Sequence, residues 1–317
     1  MQKALISGVA GFIGSHLAER LIKEGFSVIG IDSFEDYYPR WIKEKNLEAL
    51  RKSSHFTFIE ATLLSSGVFT QPLLQDTEYI FHQAAQAGVR KSWGNSFQAY
   101  TTNNILATQK LLEFAKTLPS LKKFIFASSS SVYGNSPLLP IGEDASLEPI
   151  SPYGVTKLAA ENLCCLYWKN FQIPTVSLRY FTVYGPRQRP DMAFHRFIKA
   201  ALSGKPITLY GDGRQTRDFT FVEDVVVANL LALNASAGEV FNIGSGAKVT
   251  LIYAISILES IIKHRIKLNK TSPQKGDAQN TFASIEKAQK VLGYQPKKAL
   301  DEGLHEEIFW IKELYNL

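Results

Sequence analysis

Tyr153 and Lys157 stand four residues apart in Ser151-Pro152-Tyr153-Gly154-Val155-Thr156-Lys157, a spacing that puts both side chains on one face of a helix. A tyrosine with a pKa of about 10 is a poor base at neutral pH, but a nearby ammonium favours its phenolate. Such a phenolate can take a proton from a hydroxyl while hydride leaves the same carbon. A second signature lies near the start, where Gly8-Val9-Ala10-Gly11-Phe12-Ile13-Gly14 follows an apolar run and Asp32 ends the next one. Glycines at this spacing allow a sharp turn, close backbone approach to a pyrophosphate and tight packing of helix on strand. The helix start at Phe12 and Ile13 offers free N–H groups to phosphates. Asp32 can accept hydrogen bonds from an adenosine ribose and repels a 2′-phosphate, so the pattern points to NAD rather than NADP.

These groups need elements to hold them. Strands are expected at Ala4–Ile6, Ser27–Ile31, Phe56–Glu60, Tyr79–His82, Lys123–Ala127 and Thr175–Arg179, alternating with helices at 12–25, 41–52, 96–118 and 152–171. That alternation predicts an α/β, Rossmann-type, doubly wound parallel sheet. Each chemical group follows a strand's carboxyl end, where ligands of such sheets sit. From Phe181 the pattern changes to short helices, turns and isolated strands, a smaller α/β lobe at 181–317 against a dinucleotide domain at 1–180. Stretches at 219–234 and 240–242 are expected to return to the main sheet and interleave the lobes. The tail, 299–317, reads as an amphipathic helix.

Composition sets outer bounds. The 317 residues, 45% apolar and 20% charged, suit a soluble globular protein. The net charge of +6 suits an anionic ligand, yet no basic block marks a nucleic-acid partner. Cys164 and Cys165 are adjacent and lack metal-ligand spacing, as do His16, His82 and His195, so no metal is assigned; His195 is expected on a helix surface. Glycines interrupt the apolar start too often for a secretory leader, and no run is long enough to span a bilayer. A cytoplasmic protein with no membrane partner is expected.

The strings GVAGFIG, HQAAQAGVR, SSSSVYG, SPYGVTK, RYFTVYGPRQRPDMAFHR and RQTRDF together resemble the extended short-chain dehydrogenase/reductase family of nucleotide-sugar epimerases and dehydratases. The resemblance implies bound NAD, a UDP-sugar in the second lobe and a homodimer formed through two helices per subunit. By position it makes Ser129, Tyr153 and Lys157 the catalytic set. It places Thr62, Leu63, Gln83, Ala84, Ala85, Asn103 and Tyr180 around the cofactor, and Thr208, Tyr210, Arg217 and Asp277 around the nucleotide. Arg217 matches the arginine that grips the diphosphate. Two departures stand out: Thr62 replaces an adenine-contacting aspartate, and Gln274 replaces an arginine.

Ser131 decides between subfamilies. Relatives that eliminate water or decarboxylate carry an acid immediately before VYG, and this chain has Ser131 there, after Ser130. Epimerisation needs no such acid. Thr182, within FTVYGPRQRPDMA, is similar to UDP-glucuronate 4-epimerases, where epimerases of neutral hexoses commonly have asparagine. A sugar carboxylate would be received by the hydroxyls of Ser130, Ser131 and Thr182, with Arg189 supplying charge or gripping the diphosphate instead. The same hydroxyls can also serve backbone groups at a strand end. The expected reaction is C4 epimerisation of UDP-glucuronate to UDP-galacturonate through a 4-keto sugar, with a UDP-hexose or UDP-N-acetylhexosamine as alternative substrate and decarboxylation as the remote one.

Overall fold

In this computed structural model, which describes residues 1–317, the apolar runs form Lys3–Ser7 (β1), Ser27–Asp32 (β2), Phe56–Glu60 (β3), Tyr79–His82 (β4), Lys123–Ser129 (β5) and Thr175–Tyr180 (β6). Beyond them come Thr182–Tyr184 (β7), Ile207–Tyr210 (β8), Thr216–Arg217 (β9), Phe219–Phe221 (β10), Val240–Ile243 (β11), Val249–Thr250 (β12) and Leu268–Thr271 (β13). Seven strands make one parallel sheet in the order β11-β6-β5-β4-β1-β2-β3. All six residues of β6 are buried, as expected of a strand covered on both faces. Alternation along β1 divides the core: Ala4 and Ile6 face one layer, Leu5 the other.

The helices are Phe12–Lys23 (α1), Arg40–Leu47 (α2), Phe97–Tyr100 (α3), Ala107–Ala115 (α4), Pro152–Phe171 (α5), Ala193–Leu202 (α6), Val222–Leu231 (α7), Leu251–Ile262 (α8), Glu286–Leu292 (α9) and Leu300–Tyr315 (α10). Pro152 opens α5 at the position its missing N–H favours, and the Ser151 hydroxyl accepts from Gly154 N. Leu17 and Leu21 of α1 share one layer with Val225 and Val226 of α7, while Leu111 of α4 and Cys164 of α5 share the other.

Three expectations change. The helix expected over 41–52 ends at Leu47, and Leu50–Lys52 forms a separate 3-10 turn. The helix expected over 96–118 is split: α3 runs into a π-helical turn, Thr101–Leu106, before α4. There the Asn104 side chain exchanges hydrogen bonds with Gln86 N (2.7 Å) and O (3.0 Å), and Thr108 Oγ1 donates to Asn104 O (2.6 Å), so side-chain bonds, two of them to a distant loop, accompany the break in regular helix pairing. Of the two stretches expected back in the main sheet, only β11 joins it, beside β6. β10 pairs instead with β7, which leaves the carboxyl end of β6 after Phe181. The remaining strands make two further two-stranded sheets, β8 with β13 and β9 with β12.

Candidate active site

The turn between β1 and α1 is forced by its glycines. Gly8 has φ +74°, and a Cβ there would lie 2.7 Å from the Ala84 backbone; a Cβ on Gly14 would lie 2.2 Å from Gly8 O. Gly11 precedes α1 with no side-chain cap, and the first turn holds no acid, so the N–H groups of Phe12, Ile13 and Gly14 are left for an anionic ligand. Asp32, at the tip of β2, accepts from Ala10 N (3.0 Å) and Phe34 N (2.8 Å); burial raises its pKa, and these bonds oppose that rise.

Every residue nominated from sequence for the cofactor lines this one groove, from Gly8 and Asp32 through Thr62, Leu63, Gln83 and Asn103 to Tyr153, Lys157 and Tyr180. Gln83 is held by Asn229 of α7 and by Tyr180: its Nε2 donates to Asn229 Oδ1 (3.1 Å) and Tyr180 Oη (3.2 Å), and Asn229 Nδ2 donates to Tyr180 Oη (2.8 Å). Asn229 was visible in the sequence only as the polar break in an apolar run.

At the groove's inner end Lys157 is 3% exposed and makes no hydrogen bond or ion pair; its Nζ sits 4.5 Å from the Phe126 ring centroid. Burial lowers its pKa to about 8. An orphaned ammonium aimed into a groove of this shape fits the ribose hydroxyls of a dinucleotide. The Tyr153 pKa is raised by burial, against the lowering influence of the Ser129 hydrogen bond and the Arg189 charge. The Arg189 charge thus favours the phenolate of Tyr153.

The sugar side begins where β5 and β6 end. Ser129 is in register with Tyr180, so Ser130-Ser131 and Phe181-Thr182 leave the sheet side by side. Ser129 Oγ accepts from Ser131 N (3.1 Å), and the Thr182 hydroxyl has no partner within the chain. Arg189 lines the same groove as Tyr153 but already grips Asp191 with two bonds (3.0 and 3.1 Å), and Asp191 also accepts from Tyr37 Oη (3.1 Å). Neither Tyr37 nor Asp191 was singled out by sequence; the only signal was a tyrosine-rich loop after Asp32.

Farther out, Arg217 donates to the Thr216 and Gln279 carbonyls, and burial lowers its pKa. Asp277, nominated for the nucleoside ribose, is paired with Arg90 (2.6 Å), whose guanidinium stacks 4.2 Å from the Tyr210 ring centroid. Arg90 was missed because the string containing it was noted for its small residues. Thr208 faces a separate shallow pocket with Arg196, Lys199 and Lys205. His195 is not on a helix surface: it is 1% exposed, bonded to Gln188 O (2.6 Å) and Tyr315 Oη (3.0 Å), because α10 packs over α6. No cluster of His, Cys, Asp or Glu could hold a metal ion.

Residues 4–244 match the NAD dependent epimerase/dehydratase family. The chain belongs to it. This epimerase/dehydratase chain is similar along its whole length to Uncharacterized UDP-glucose epimerase YtcB of Bacillus subtilis, with 46% identity over 99% of both chains. It is 39% identical to a UDP-glucuronate 4-epimerase of Thermodesulfobacterium geofontis, over 98% of this chain and 96% of that one. The UDP-glucuronic acid 4-epimerase of Bacillus cereus, solved in complex with UDP-glucuronic acid and NAD, superposes with a TM-score of 0.96 and 47% identity, covering 99% of this chain and 100% of that one.

Proposed function

We propose that this chain is an NAD-dependent UDP-sugar 4-epimerase that interconverts UDP-glucuronate and UDP-galacturonate. The observation that carries the reading is the placement of Arg189 beside Tyr153 in one groove, next to the strand ends that bear Ser130, Ser131 and Thr182. Gly8, Gly11, Phe12, Ile13, Gly14, Asp32 and Lys157 would hold NAD, which would supply a reversible hydride acceptor for the sugar's C4. Tyr153 removes the 4-hydroxyl proton, Ser129 hydrogen-bonds the same oxygen, and Lys157 orients the ribose. Arg217 and Arg90 anchor the diphosphate while the 4-keto sugar turns over. That keto sugar is a β-keto acid, which loses carbon dioxide when its C5–carboxylate bond stands perpendicular to the carbonyl plane. Ser131 and Thr182 hold the carboxylate away from that angle, and Ser131 stands where eliminating or decarboxylating relatives carry an acid.

Several features extend the reading. Residues 1–180 with the β11 return serve the dinucleotide, and 181–317 serve the UDP-sugar. Exposed Phe97 and Leu106, with Val155, Leu166 and Phe171 of α5, support a homodimer through these helices. Both cysteines are free, consistent with a cytoplasmic enzyme, and no helix is long and apolar enough to cross a membrane.

A second reading, a UDP-glucose 4-epimerase, is favoured by the Arg189–Asp191 pair: an arginine already neutralised has less pull on a sugar carboxylate. Incubation with UDP-glucuronate or UDP-glucose, followed by proton NMR, separates the two. UDP-galacturonate as sole product supports the first reading, conversion of UDP-glucose alone selects the second, and a pentose nucleotide refutes both.

A further inference from the structure

Directly behind the groove lies a buried polar cluster that no step of the reaction uses. Glu161 of α5 and Arg179 of β6, 5% and 4% exposed, form a forked ion pair: Arg179 Nη2 donates to Glu161 Oε1 (2.6 Å), and Nε lies 3.1 Å from Oε2. Ser128 Oγ donates to the same carboxylate (2.5 Å). Arg179 Nη1 donates to Tyr133 Oη (2.7 Å) and Glu143 O (3.1 Å), and Tyr133 Oη donates to Asn242 Oδ1 of β11 (2.7 Å). Both charged groups are thus fully engaged.

The position of each member in the chain is what gives the cluster a role. Ser128 immediately precedes Ser129, Arg179 immediately precedes Tyr180, and Glu161 lies one helical turn beyond Lys157 and two beyond Tyr153. Ser128 and Arg179 are themselves register partners across β5 and β6. The ion pair therefore fastens β6 to the helix that carries the tyrosine and lysine, and the Ser128 hydroxyl ties β5, the strand that carries the serine, to the same carboxylate. Burying two charges is weak evidence for stability, since apolar side chains of similar volume often serve a core as well or better. Fixing the distance between two elements is a task that a forked, directional pair performs and a greasy contact does not.

We propose that Glu161 and Arg179 are positioning residues, a buried clasp that sets the Ser129–Tyr153–Lys157 geometry for hydride and proton transfer. The inference rests on the epimerase reading of the site. Misplacing reacting groups by about 1 Å can cost on the order of 100-fold in rate, so the clasp is read in kcat, not in binding.

The test uses two variants of the full chain. Glu161→Leu/Arg179→Met replaces the pair with apolar volume, and Ser128→Ala removes only the hydroxyl bond to Glu161. The double variant is expected to melt as a folded protein, bind NAD and show KM within about twofold of the unmodified chain, with kcat lowered by about 10- to 100-fold. Ser128→Ala is expected to keep the melting temperature and lose about three- to tenfold in kcat. Unchanged kcat in Ser128→Ala overturns the proposal if the double variant also retains kcat or fails to fold. Equal losses in kcat and cofactor affinity would mark a structural role and also overturn it. Turnover of UDP-glucuronate or UDP-glucose by the unmodified chain is the control: its absence refutes the reading of the site, whereas turnover that persists in both variants refutes the clasp.

Discussion

The dinucleotide end and the sugar end of this molecule are built on different terms. The first rests on seven parallel strands, and its critical contacts are backbone: the Gly8 turn against Ala84, the N–H groups that start α1, and two N–H bonds to Asp32. The second rests on two-stranded sheets and loops, and its critical contacts are side-chain pairs that already satisfy one another: Arg189 with Asp191, Arg90 with Asp277. Backbone geometry leaves the dinucleotide end little to rearrange when its ligand binds. Exchangeable side-chain pairs suit a ligand that must enter, turn and leave.

Substitutions can break this contrast, and the largest effect belongs where the two ends meet. Tyr153→Phe is expected to lower kcat by about 1,000-fold for every UDP-sugar while NAD binds within about twofold, as read by NMR turnover and a fluorescence titration. Asp32→Ala is next: losing charge-assisted bonds at the β2 tip should weaken NAD by about 30-fold without changing the preference between sugars. Arg189→Met should do the reverse, raising KM for UDP-glucuronate by about 10-fold and leaving UDP-glucose within about threefold. Equal effects on both sugars would place Arg189 on the diphosphate. Thr182→Val should change turnover by about two- to fivefold but release detectable carbon dioxide from UDP-glucuronate; a rate without leakage would remove Thr182 from the clamp.

An effect of pH on stability is shared by both ends. Burial holds His16 and His82 to a pKa of about 3 and His195 to about 4. Their folded values lie below the unfolded 6.5, so between those values the folded state binds fewer protons than the unfolded chain. The stability they contribute is complete above 6.5 and is lost as pH drops toward 3 to 4, at roughly 1 kcal/mol per pH unit for each imidazole. Urea midpoints at pH 7 and pH 5 should differ accordingly, and His82→Asn should reduce the difference.

The same contrast explains what could be read without coordinates. Gly8, Gly11, Gly14, Asp32 and the Tyr153–Lys157 pair sit at fixed offsets from strand ends, so pattern alone placed them in one groove. Fold class and α5 were legible for the same reason: apolar period and Pro152 are local signals. Asp191 on Arg189, Arg90 on Asp277 and Tyr37 over Gly88 are encounters between segments far apart in the chain, and no local spacing encodes them. The burial of His195 and the pairing of β10 with β7 belong to that class. The π-helical turn was hidden because the partner of its Asn104, Gln86, lies eighteen residues away.

The position of β11 carries a consequence for how the chain is made. Until Val240–Ile243 has been synthesised, the outer edge of β6 is an open row of unpaired backbone on a strand whose six residues are all buried in the finished fold, a template for wrong pairing. At about 5–20 residues per second that edge waits several seconds on a ribosome. A nascent chain cut short after β6 should aggregate, so the smallest unit that folds alone reaches past Ile243.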